Sequence, residues 1–75
     1  MINNLVMTIK ERANNKIYAK ISHAYIHLED LRREFKTGKY KGKITYDEMQ
    51  SLIEGAKTEL DVLNYIYQLI ETADD

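Results

Sequence analysis

From Ile2 to Thr37 the chain carries no glycine or proline. Apolar residues recur at Ile2, Val6, Ile9, Ala13, Ile17, Ile21, Ala24, Leu28, Leu31 and Phe35, always three or four apart. Those steps follow the 3.6-residue helical repeat, so all ten share one stripe. The spacing predicts a helix over about 2–37, continuous across Asn14 and Asn15. A competing reading breaks it there, because asparagines cap helices well and extend them badly. Thr8 and Glu11 also offer an internal capping box. Lys36-Thr37-Gly38 is a stop signal, with a basic last turn and then a glycine able to turn left-handed. Residues 38–44 form the connection. Thr45 to Glu48 reads as a capping box, with Ile44 and Met49 spaced as a hydrophobic staple. A second helix then runs over about 45–73. Gly55 lies inside it, off the main apolar stripe, and receives no role from the pattern.

The second helix has its own seam: Met49, Ile53, Ala56, Leu60, Leu63, Tyr67 and Ile70. Its alternating steps of four and three are a heptad pattern. Folding the chain at residues 38–44 opposes Phe35 to Met49, Leu31 to Ile53, Leu28 to Ala56, Ala24 to Leu60, Ile21 to Leu63 and Ile17 to Tyr67. One antiparallel register satisfies all six layers, and in two of them a small alanine faces a leucine, which suits a filled layer. The expected fold is therefore an all-α antiparallel hairpin forming one domain over 1–75.

This hairpin leaves apolar surface over. Ile2, Leu5, Val6 and Ile9 overhang the partner helix, and Val62, Ile66 and Leu69, with Ala73, form a second stripe beside the seam. Burying one Leu or Ile stabilises by about 1.5–3 kcal/mol, so a thin domain gains from covering them. The leading expectation is a homodimer completing a four-helix bundle through Ile2, Leu5, Val6, Ile9, Val62, Ile66 and Leu69. The alternative is a monomeric three-helix bundle in which residues 1–13 fold back.

Composition narrows the function. The chain has 75 residues, a net charge of −1 and no cysteine. Disulfides and thiolate metal sites are thereby excluded. The opening Met1-Ile2-Asn3-Asn4 lacks the basic region and apolar run of a signal peptide. No apolar run approaches the ~20 residues that span a bilayer, so a cytoplasmic protein without membrane contact is expected. No nucleophile elbow, metalloprotease helix or phosphate-binding loop occurs. Neighbouring carboxylates such as Glu29 and Asp30 do not converge on a helix. An enzyme is not expected, and neither is a cofactor. His23 and His27 lie four apart on one helical face, with Asp30 and Glu34 beyond them. That spacing suits a metal, but two imidazoles on an open surface make a weak site, and no metal is expected.

The most distinct chemistry is the basic turn: Arg32, Arg33, Lys36, Lys39, Tyr40, Lys41 and Lys43. Lysines neutralise phosphates, and Tyr40 or Tyr46 offers a ring for base stacking. Against this stand the absence of net positive charge and the ordinary preference for cations at a helix C-terminus.

The hairpin with Leu60-Asp61 in its second helix resembles, in outline, the small aspartyl-phosphate phosphatases of sporulating bacteria, whose second helix carries Ser-Gln-x-Leu-Asp. Lys57 stands here at the serine position and Thr58 at the glutamine position. The resemblance implies a helical hairpin, and those departures remove the residues that would carry the activity. The expected function is a small regulatory or adaptor protein that binds and modulates another protein, by analogy of size with phage inhibitors and antirepressors. The alternative is a weak nucleic-acid binder using the basic turn.

Overall fold

The computed structural model describes residues 9–73, which form two α-helices and no strand. Helix α1 spans Ile9–Thr37 and helix α2 spans Tyr46–Thr72. The pair packs as an antiparallel hairpin, one layer thick, with Cα extents of 59 × 20 × 14 Å. Helix α1 runs unbroken through Asn14 and Asn15. The apolar stripe and the pull of good helix formers on either side outweigh two weak positions. Residues 9–13 continue α1 rather than folding back. Ile2, Leu5 and Val6, expected at a subunit interface, lie outside the described residues.

The closed end is fixed by local chemistry. Gly38 adopts φ +76°. Lys39 N donates to Glu34 O at 3.0 Å and Gly38 N to Phe35 O at 3.3 Å. These are the two bonds of a Schellman cap, which satisfies the last carbonyls of α1. Gly42, at φ +87°, reverses the chain again, with Lys43 N and Ile44 N both donating to Tyr40 O. Both positions are strained for any residue with a Cβ. Helix α2 then opens on the expected capping box: Glu48 N donates to Thr45 Oγ1 at 3.1 Å, and Thr45 N donates to Glu48 Oε1 at 2.9 Å. Thr45→Ala is expected to lower stability by about 1 kcal/mol. Urea unfolding should show this as a lower midpoint with an unchanged slope. An unchanged midpoint would mean that the cap adds nothing to the fold.

The core gathers at this closed end. Leu28, Leu31, Tyr40, Met49, Ile53 and Ala56 are buried together, with Phe35, Ile44 and Leu60 packed against them. Met49 is only 1% exposed. It sits where the staple residue Ile44 and the Phe35 layer meet, as the register requires. Phe35 stacks on Tyr40 at 5.8 Å and meets Tyr46 at 5.6 Å in a tilted contact. Toward the open end burial fades. Ala24 is the last buried residue of α1 in that direction, and Ile17, Ile21, Leu60, Leu63, Ile66, Tyr67 and Ile70 are only half covered. Two polar bonds still hold the register there. Asn14 Nδ2 donates to Glu71 Oε1 at 2.7 Å, and Lys10 Nζ donates to Ala73 O at 3.3 Å.

Candidate binding surfaces

The basic turn is displayed, but without its expected ring. Lys36, Lys39, Lys41 and Lys43 are exposed. Arg32 and Arg33 are exposed too, but each is paired within α1, to Glu29 at 3.2 Å and to Asp30 at 3.0 Å. Such surface pairs contribute little to stability. Tyr40 is buried and stacked on Phe35. Its ring belongs to the core, so it offers no face for a base; Tyr46, 57% exposed, keeps part of its ring open. The sequence could not show this, because the direction of Tyr40 depends on how Gly42 turns the chain.

The two broad faces of the hairpin differ. On the first, Tyr18, Ile21, Ser22, Tyr25 and Ile26 of α1 meet Leu60 and Asn64 of α2 around an open groove of about 570 Å³. No charged residue lines it. Tyr18, Tyr25 and Ile26 are 63%, 55% and 56% exposed. Toward the open end this face carries Asn14 and Glu71. Glu71 also takes a hydrogen bond from the hydroxyl of Tyr67. That bond, and the carboxylate charge beside it, raise the Tyr67 pKa above its ordinary value. The phenol therefore stays protonated and serves as a donor. Asn14 Oδ1 is buried without a hydrogen-bond partner among the described residues.

On the opposite face, Lys20 and His23 of α1 share a cleft with Glu59 and Leu63 of α2. Nearer the turn, His27, Asp30 and Glu34 line a second hollow with Leu31, Arg33 and Lys39. Helical spacing joins these into one strip of α1, reading Lys16, Lys20, His23, His27, Asp30, Glu34. Beside it, α2 presents Leu52, Gly55, Glu59, Val62, Ile66 and Leu69, again three and four apart. Leu52, Val62 and Leu69 are each about half exposed and Ile66 less so. Leu52 and Gly55 extend the expected Val62–Leu69 stripe by two turns. The signal was present in the spacing, but Glu59 interrupts the apolar run and hid it. Ile9, the described member of the expected overhang, is 85% exposed.

Among the described residues no three histidine, aspartate or glutamate side chains converge as metal ligands, and no helix is long and apolar enough to cross a membrane. Comparison with protein families, curated proteins and solved structures finds no match to this chain.

Proposed function

We propose that this protein is a non-enzymatic regulator or adaptor that binds and modulates another protein, and that it works as a homodimer of two hairpins. The observation that supports this is the uncharged groove of Tyr18, Tyr25 and Ile26 on a chain in which 31% of residues are charged. Tyrosine presents a large, stiff, amphipathic surface at low entropic cost, and with Ser22 and Asn64 supplying adaptable polar contacts it suits a protein partner. The groove is too open to enclose a small molecule, which normally loses most of its surface to a pocket. A helix or loop with an apolar ridge is the fitting occupant.

Nucleic-acid binding is a second reading, favoured by the exposed Lys39, Lys41 and Lys43, none of them in an ion pair among the described residues. One experiment separates the two. Host-cell partners retained by the chain are compared for wild type, for Tyr18→Glu with Tyr25→Glu, and for Lys39, Lys41 and Lys43 all replaced by Gln. The expected result is a protein, retained near 150 mM salt after nuclease treatment, that the tyrosine variant loses and the lysine variant keeps. Retention lost with the lysines, and falling steeply with salt as counterion release demands, would overturn it in favour of nucleic acid.

A further inference from the structure

We infer that the face opposite the tyrosine groove receives a second copy of this chain in antiparallel orientation, by a twofold axis passing beside His23 and Glu59. The inference rests on the homodimer reading above and names its surface and geometry.

The first support is exposed apolar surface: on this face Leu52, Val62 and Leu69 are each about half exposed.

The second is charge. The strip along α1 is basic toward its N-terminal end, at Lys16 and Lys20; toward the turn it carries the carboxylates of Glu34 and of Asp30, the latter already paired with Arg33 at 3.0 Å, in a hollow that Lys39 also lines. Two copies laid face to face have two choices. With both turns at the same end, α1 lies over α2 of the second copy, and Lys16 and Lys20 fall at the levels of residues 68 and 64, among Leu69, Ile66 and Val62. With the turns at opposite ends, each helix lies over its own counterpart. Lys16 and Lys20 then lie over the half of the second α1 that carries Asp30 and Glu34, and the reverse contact is identical, as an isologous interface requires. Only the second choice avoids stranding ammonium groups on apolar surface.

The third is the companion strip of α2. In the same antiparallel arrangement Leu52 faces Leu69, and Gly55 faces Ile66. Gly55 lies within α2, has an ordinary φ, and a Cβ there would meet nothing within 4 Å. Within one hairpin it is an unexplained weakness, since glycine disfavours a helix. Across the axis it is the hollow that admits Ile66. The midpoints of the two strips fall between His23 and His27 in α1 and between Glu59 and Val62 in α2. Since His23 and Glu59 line one cleft, a single axis serves both strips. Glu59 at that axis keeps Lys20 and His23 as neighbours.

The test uses the full chain and measures mass by sedimentation at tens of micromolar. Wild type is expected at twice the chain mass. Ile66→Glu and Gly55→Leu are expected at the single-chain mass with helical content retained, since neither position is in the buried core. Lys16→Glu with Lys20→Glu should be monomeric, as should Asp30→Lys with Glu34→Lys. Mixed, these two variants should form a one-to-one heterodimer, because only antiparallel strips match their reversed charges. A wild-type monomer would overturn the homodimer reading and this inference with it. A wild-type dimer that survives both Ile66→Glu and Gly55→Leu, or charge variants that fail to pair, would overturn this geometry alone and leave the homodimer standing on another face.

Discussion

Leu28→Ala is expected to destabilise the hairpin by about 2–5 kcal/mol, a large share of what so small a domain possesses. Leu28 is 3% exposed and belongs to the buried cluster with Ala56. In the antiparallel register these two residues form one layer, so truncation leaves alanine facing alanine around a void. The reversed layer, Leu28→Ala with Ala56→Leu, restores the summed side-chain volume and is expected to recover part of the loss. Urea unfolding of wild type, both single variants and the double variant closes the cycle. A coupling near zero would show that the two side chains do not share a layer. The recovery is expected to be incomplete, because a leucine grown from α2 enters the layer from a different direction than one grown from α1.

Backbone protection is expected to be uneven along the rod. At dilution low enough to hold the chain as a monomer, amides around Leu28, Leu31, Ile53 and Ala56 should exchange at least about a hundredfold more slowly than those of residues 13–18 and 65–70, since local opening free energies follow buried contacts. The closed end has the buried cluster, the Schellman turn and the capping box. The open end has a half-covered seam and two exposed polar bonds. In the proposed dimer, raising the concentration should slow exchange at the open end most, because Ile66 and Leu69 would be covered there. Uniform protection in the monomer would mean that the half-covered seam suffices by itself.

Much of this architecture was written in the spacing of apolar residues. The stripe from Ile9 to Phe35 and the seam from Met49 to Ile70 each specify a helix, and their common register specifies the hairpin. Gly38 and the Thr45–Glu48 box were legible because single residues perform those jobs by local bonding. What the pattern does not carry is how burial is distributed. Every seam layer looks alike as a string, yet the aromatic cluster of Phe35, Tyr40 and Tyr46 seals only the closed end. Tyr40 was expected to face outward among its lysines and instead turns in, because a loop side chain takes its direction from backbone torsions that Gly38 and Gly42 set. The uncharged groove was also obscure, since Tyr18 and Tyr25 flank the seam and flanking tyrosines read equally well as the edge of a core. The role proposed for Gly55 depends on the space beside it being open, which the pattern does not carry.

The paired glycine turns also bear on how the chain finds its fold. Contacts across residues 35–49 close a loop of modest length, and short loops close within microseconds and at little entropic cost. The Phe35–Met49 layer is therefore the natural nucleus, and each further layer adds by zipping away from it. Loss of structure runs in the opposite sense, from the distal helix ends toward the tip. A protease added to the native protein meets the two distal helix ends together and trims them while the segment from Ala24 to Leu60 is still closed.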